Sequence, residues 1–363
     1  MREYGSEHPA IVLPDGYFES MEEYGREVLF MRSGREALLL AAIAASTEKD
    51  KTILFPAYCC WSMSAPFEKA GWKVIYYRLK EDLTVDIDYL RQLLEKEKPQ
   101  AILTMNFYGS ASTDDAVRMI KDCDEDIKVI EDFSHCTFSL KLIHNPKINI
   151  YVSSIRKSIG VCDGAVILSK EPLPTQYIQE EQKDFADKRF VAQTDKARYT
   201  YSKNQEKKGE FLSTIRECEG IINEFTSVRP ISDRARKQLA QVNGEEIAYA
   251  RRKNMRHLWS LLNGKVEMVP GLGVMTAGGA YTLKAATISA LPFKIPEEYM
   301  AIEEKVDAIL MVKNKDKQAD TTAWENQIDF LVYHLYGLTY DEVLIVDPET
   351  PISREEYEAY KEE

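Results

Sequence analysis

Two stretches decide how this chain folds: Val129-Ile-Glu-Asp-Phe-Ser-His135 and Tyr151-Val-Ser-Ser-Ile-Arg-Lys157. Each is a short apolar run that ends in reactive groups. The first delivers Asp132 and His135, and the second delivers Ser154-x-x-Lys157 with Gly160 beyond it. An acid at the end of one buried strand and a lysine just past another can meet at one edge of a parallel sheet. That edge, outside the carboxyl ends of the strands, is where open α/β sheets bind ligands.

Working outward, apolar runs alternate with amphipathic segments. Strands are predicted at 52–55, 73–77, 101–106, 128–131, 148–152 and 165–168, with helices at 62–70, 86–96 and 114–123. In the second of these helices Ile87, Leu90, Leu93 and Leu94 share a face. Alternation at this spacing implies βαβ units and a mainly parallel sheet covered by helices on both sides. Residues 1–30 read as an irregular arm, with Pro14-Asp15-Gly16 as a turn. The polar stretch 176–210 is either a long surface excursion or exposed helix. Helical periodicity returns at 211–225 and 232–262, 266–286 reads as Gly-rich turns and short strands, and the chain beyond Pro296 is helical to about Asp347.

Ser33-Gly-Arg-Glu36 opens a helix through Ala45, with Ser33 and Glu36 spaced as a capping box. Gly34 allows close approach to that helix start, whose free N–H groups and dipole attract phosphate. A well-capped helix with no ligand fits the same residues.

The net charge of −12 argues against a general nucleic-acid or acidic-membrane binder, since both need basic patches. Six cysteines without a C-x-x-C pair suggest neither a zinc site nor a disulfide framework, and reduced cytoplasmic thiols fit them best. The first residues lack a basic-then-apolar leader pattern, and no apolar run is long enough to span a bilayer. The histidines show no metal-ligand spacing. A soluble intracellular protein is expected.

The chemistry that joins Lys157 to Asp132 is that of pyridoxal phosphate. Its aldehyde needs a lysine to hold it as a Schiff base, and its ring nitrogen needs an acid to stay protonated. Singly, Asp132 reads as a strand-end turn residue and Lys157 as a solvated lysine; their joint order on alternating strands singles them out. Ser154 and the backbone at Gly34 and Arg35 could hold the phosphate.

Ser33-Gly34, Pro56-Ala-Tyr58, Asp82-Leu-Thr-Val-Asp86, Phe107-Tyr108-Gly109, Glu131-Asp132 with His135, and Ser154 through Lys157 to Gly160 stand in one order. Over roughly residues 25–250 this order resembles the fold-type I pyridoxal-phosphate aminotransferases, in their DegT-like sugar-aminotransferase branch. The resemblance implies a three-layer, mainly parallel α/β fold with pyridoxal 5'-phosphate as cofactor. Lys157 would be the Schiff-base lysine and acid–base, Asp132 the pyridinium partner, and His135 a neighbour of a ring substituent. Ser154, Gly34 and Arg35 would hold the phosphate. It also implies a homodimer using an amino donor and a keto-sugar or similar carbonyl acceptor. The ring-stacking aromatic of the family falls near Cys60, one position before Trp61. Arg35-Glu36 replaces a small-polar pair; Glu36 would repel a phosphate unless its carboxylate turns away, and Arg35 could offset it.

The expected organisation is an arm (1–30), a cofactor-binding large domain (31–245), a linker helix with a partial small domain (246–290), and a mostly helical C-terminal segment (291–363). Within the last, residues 290–349 are similar to the closing segment of adenine-specific restriction–modification methylases, although the Asn-Pro-Pro-Tyr kind of motif is missing from the chain. An amphipathic helix carrying Trp324, Ile328, Leu331, Val332 and Leu335 on one side is expected there, followed by a Thr339–Glu342 capping box. The alternative reading is a binding or assembly module that keeps the cofactor-domain fold without its usual small domain.

Overall fold

The apolar runs become strands of one seven-stranded sheet in the computed structural model. It describes residues 26–46, 51–107, 113–137, 145–202 and 205–243, most of 246–260, and 300–359 apart from 317–318, 336–337 and 349. The predicted Pro14 turn, Tyr108-Gly109, His144 and the Gly-rich 266–286 lie outside the described residues. The described residues fall into two compact units, 1–292 and 293–363.

The strands are β1 (Glu27–Met31), β2 (Thr52–Pro56), β3 (Lys73–Tyr77), β4 (Ala101–Met105), β5 (Lys128–Asp132), β6 (Ile150–Ser153) and β7 (Ala165–Ser169). They lie in the order β1-β7-β6-β5-β4-β2-β3. Strands β3, β2, β4, β5 and β6 are mutually parallel, while β7 runs antiparallel to both β6 and β1. The mainly parallel sheet is therefore as expected. The arm is corrected at its end: Glu27–Met31 is an edge strand, not irregular chain. A lone run of five residues has no periodicity of its own, and it becomes a strand because β7 offers it a free edge.

The inner strands are buried on both sides because helices cover both faces. Ile53, Phe55, Leu103, Ile130 and Val152 face α1 (Gly34–Ala44) and α2 (Trp61–Lys69). Their neighbours Leu54, Ile102, Val129 and Tyr151 face α3 (Ile87–Glu97) and α4 (Asp114–Cys123), with α7 (Asp233–Leu239) on the same side. This alternation is the period-two geometry of a strand, and it makes three layers. In α3, Asp86 caps the Tyr89 N–H, and Leu90, Leu93 and Leu94 are buried while Ile87 packs at their margin. Each such leucine contributes on the order of 2 kcal/mol through burial.

The ambiguous polar stretch resolves into helix. α5 (Lys183–Ser202) and α6 (Gln205–Asn223) pack on each other through Ala192, Tyr199, Phe211 and Ile215. The apolar residues of α5 are too sparse to mark it as a packed helix in the sequence, while α6 follows the helical periodicity expected from Phe211 on.

The second unit holds α8 (Met300–Lys315), α9 (Thr322–Leu335), α10 (Tyr340–Val346) and α11 (Arg354–Ala359). The Thr339–Glu342 capping box forms with both of its hydrogen bonds. On α9, Trp324, Ile328, Leu331 and Val332 are half-buried while Ala323, Glu325, Gln327 and Asp329 are exposed, so the amphipathic helix forms, and Tyr333 is buried beside that stripe. Phe330 and Tyr333 join Val343, Ile352 and Tyr357, and His334 stacks on Tyr357 at 4.1 Å. Tyr333 is the more deeply buried because α10 and α11 supply aromatic partners. No helix among the described residues is long and apolar enough to cross a membrane, and the six cysteines are free thiols.

Candidate active site

The carboxyl ends of β4, β5 and β6 place the candidate residues. Met105 is level with Asp132, and Asp132 with Val152, so the residues that follow these strands emerge at one edge. Asp132 is 2% exposed, and its Oδ1 accepts a hydrogen bond from the Ser134 N–H at 2.7 Å. The Ser134 hydroxyl in turn accepts from the Ser154 N–H at 2.9 Å. One residue therefore couples the acid of β5 to the serine that follows β6. Behind them Thr137 Oγ1 lies 2.8 Å from Ser153 Oγ, and the Ser158 hydroxyl donates to Thr137 at 3.2 Å.

After Ser154 the chain makes a short 3-10 turn, Ile155–Lys157. Ile155 is wholly buried, whereas Lys157 is exposed at the mouth. Beyond it, Arg251 donates to the Ser158 carbonyl at 2.9 Å. His135 follows Asp132 by three residues; burial above all pushes its pKa down to about 4, the Asp132 carboxylate works against this, and Lys157 adds to it. The imidazole is thus neutral near pH 7 and lies within electrostatic reach of both expected partners. Asp132, His135 and Lys157 stand on the segments that leave the neighbouring strands β5 and β6.

The helix start reaches the same place. Ser33 caps α1 by accepting from the Glu36 N–H at 3.3 Å. At Gly34 a Cβ would stand 3.0 Å from the Ser154 Cβ and 3.3 Å from its hydroxyl. Only glycine lets the helix start meet the β6 turn this closely. A helix start leaves the amides of Gly34 and Arg35 without intrahelical carbonyls.

The expectation for Glu36 is corrected in its partner. The carboxylate does turn away, but Arg32 holds it through two hydrogen bonds of 2.9 Å, with a third from the Ser33 hydroxyl at 2.9 Å. The reciprocal half of the capping box is replaced by this buried ion pair. Burial raises the Glu36 pKa, and the contacts with Arg32 oppose the rise. The Arg35 side chain instead pairs with Glu219 at 2.8 Å.

Trp61 is 60% exposed, and its ring meets Phe225 edge-on at 5.5 Å. The aromatic path to His135 runs elsewhere: Tyr58 packs on Phe107 at 5.6 Å, and Phe107 on His135 at 6.3 Å. Asn106, which follows β4, was not singled out in the sequence. It is 3% exposed, and its Oδ1 finds no hydrogen-bond donor among the described residues. A polar residue closing an apolar strand at the ligand edge was the available signal.

These residues fit pyridoxal phosphate. Among the described residues Asp132 pairs with no lysine or arginine, so its buried carboxylate calls for a cation such as a protonated ring nitrogen. Gly34 packs against Ser154, so the free amides of the α1 start stand beside the Ser154 turn, where a phosphate could be held.

Fold and site together are those of an open, mainly parallel α/β sheet with Asp132, His135, Ser154 and Lys157 on the segments that leave its carboxyl edge. Residues 22–140, about a third of the chain, match the DegT/DnrJ/EryC1/StrS aminotransferase family. The match includes Gly34, Asp132 and His135 and ends before Ser154 and Lys157. Among solved structures, 3-amino-5-hydroxybenzoic acid synthase is 14% identical over 77% of this chain and 67% of that one, with a TM-score of 0.48. GDP-4-keto-6-deoxy-D-mannose-3-dehydratase of E. coli with bound hydrated PLP is 23% identical over 41% of each chain, with a TM-score of 0.35. A GDP-4-keto-6-deoxymannose-3-dehydratase with bound GDP-perosamine is 21% identical over 40% of each chain, with a TM-score of 0.32. The chain thus spans about two fifths of the length of either dehydratase. No curated protein matches the sequence. The family match does not reach the methylase-like segment 290–349.

Proposed function

We propose that this protein is a pyridoxal-phosphate-dependent aminotransferase that delivers an amino group to a keto sugar or a similar carbonyl compound. The observation that carries the reading is the buried Asp132 carboxylate at the end of β5, joined through Ser134 to Ser154, which in turn contacts the α1 start at Gly34. The amino-acid order and the family match over 22–140 support it.

Bound there, the cofactor supplies an electron sink that stabilises negative charge at the substrate carbon. The chain's own residues do the rest. Lys157 Nζ would hold the cofactor at its aldehyde carbon and would take up and return the proton that moves during transfer. Asp132 keeps the ring nitrogen protonated. His135, neutral near pH 7, hydrogen-bonds at the ring without adding charge. Ser154 and the Gly34–Arg35 amides hold the phosphate. Tyr58 or Trp61 would cover the ring from the open side. The large domain 31–245 would carry these groups, 246–290 would link to a partial small domain, and the active enzyme would be a homodimer.

The test is optical. Purified protein given pyridoxal phosphate is expected to turn yellow, and borohydride should fix the cofactor on Lys157. Lys157→Ala should abolish both while keeping the fold. A wild-type protein that stays colourless and traps nothing would overturn the reading. Single-turnover loss of the yellow band with a panel of amino acids, reversed by keto sugars, tests the substrate class.

A further inference from the structure

Three guanidinium groups from three parts of the fold meet one carboxylate, Glu219 on α6. Arg35 reaches it from the first turn of α1 at 2.8 Å, and Arg189 from α5 at 2.8 Å. Arg156, the residue before Lys157, makes a two-pronged contact at 2.6 and 3.2 Å. The surroundings are largely dry: Arg189 is wholly buried, and the side chains of Arg35 and Arg156 are 18% and 14% exposed. Burial would raise the Glu219 pKa, but Arg156, Arg189 and Arg35 together hold it well below the usual carboxylate range. Glu219 is therefore ionised whenever the protein is folded near neutral pH.

The two bridged residues that matter are Arg35 and Arg156. One follows Gly34, and the other comes two residues after Ser154. Gly34 and Ser154 are the pair in closest approach, with no room for a Cβ between them. Two arginine side chains flanking such a contact repel each other unless an anion sits between them. Glu219 is that anion, and its paired fork geometry sets the distance between their side chains.

We propose that Glu219 is a positioning residue. Through Arg35 and Arg156 it fixes the start of α1 against the Ser154–Lys157 turn, and so sets where the free α1 amides that would take a phosphate group stand. The inference rests on the cofactor reading above but concerns only the phosphate end of the site. Glu219 touches neither Asp132 nor His135, so the ring end should not depend on it. The segment that carries Glu219, α6, lies outside the family match, so the clamp is a property of this chain rather than of the matched motifs.

Two probes separate the ends of the site: pyridoxal phosphate, and pyridoxal, which lacks the phosphate. Both are titrated into wild type, Glu219→Gln, Glu219→Asp and Arg35→Gln, with binding read by absorbance and by borohydride trapping on Lys157. Glu219→Gln is expected to weaken pyridoxal phosphate at least tenfold while changing pyridoxal less than threefold, so that preference for the phosphorylated probe collapses. Glu219→Asp should recover part of that preference. Equal affinities in wild type and Glu219→Gln, or equal losses for both probes with an unchanged circular dichroism spectrum, overturn the proposal. If Glu219→Gln does not fold, Arg35→Gln, which leaves Glu219 two partners, decides by the same ratio. A wild type that binds neither probe overturns the cofactor reading and the clamp with it; a wild type that binds both, with variants showing an unchanged ratio, overturns the clamp alone.

Discussion

Gly34→Ala places one methyl group where the structure has no space. The added Cβ would lie 3.0 Å from the Ser154 Cβ and 3.7 Å from its Cα. Carbon atoms settle at about 3.5–4.0 Å, so the first contact overlaps by roughly half an ångström and the second is ordinary. Neither partner can swing aside, because a Cβ moves only with its backbone. The Ser154 backbone is held at its N–H by Ser134 and at its carbonyl by the Lys157 N–H. Overpacking of this kind costs about 1–3 kcal/mol. Alanine recovers at most about 1 kcal/mol through helix propensity, so a net loss of about 1–2 kcal/mol is expected. The assay is a double-mutant cycle with Ser154→Gly, using urea unfolding of the apo-protein followed by circular dichroism. Ser154→Gly removes the clashing atom, so the double variant should be more stable than the two single losses predict, by about 1 kcal/mol or more. Strict additivity, or a Gly34→Ala protein as stable as wild type, would refute the close contact between the α1 start and Ser154.

Three further outcomes follow from other parts of the fold. Glu131 is wholly enclosed and bonded by the Thr113 hydroxyl, and burial above all pushes its pKa up to about 8. A carboxyl raised this way is protonated in the native state while already ionised in the unfolded chain, so stability should fall between about pH 5 and 8. Glu131→Gln should remove Glu131's share of that loss, a few kcal/mol in size, as read by urea melts across that range. Asp132→Asn keeps the acceptor for the Ser134 N–H but removes the carboxylate, so pyridoxal phosphate should bind at least about tenfold more weakly, read by absorbance titration. Equal affinity in that variant would remove Asp132 from the site. Tyr357→Ala takes away the ring stacked on His334 and the hydrogen bond from its hydroxyl to the Leu338 carbonyl at 2.7 Å. A loss of about 3–5 kcal/mol is expected, seen as faster amide exchange across 322–359 with the sheet amides of 128–132 unchanged.

Much of the fold was legible before any coordinates. The runs at 52–55, 73–77, 101–106 and 128–131 became strands within a residue or two, since each is apolar and bounded by turn or helix signals. The edge strand Glu27–Met31 was not legible, because a strand at an edge is defined by its neighbour. Helix α5 and the start of α6 were not legible for a similar reason, since a polar sequence does not announce its partner, whereas the rest of α6 carried helical periodicity from Phe211 on.

Residue type and order along the chain determined the class of fold and which reactive groups stand at its edge. An acid closing one buried strand, a serine and lysine following the next, and a glycine at a capped helix start suffice, because each depends only on local periodicity and on the βαβ rule. Which side chains serve one another was decided only in three dimensions. Sequence spacing offered Arg35 to Glu36, but the packed helix gives Glu36 to Arg32 and sends Arg35 to Glu219, 184 residues away. Trp61 turns to Phe225, while Tyr58 and Phe107 lead to His135. The physical reason is the same in each case. A buried charge or ring takes the partner that packing brings within about 3 Å for an ion pair or 6 Å for a ring pair, and distance along the chain says little about that separation.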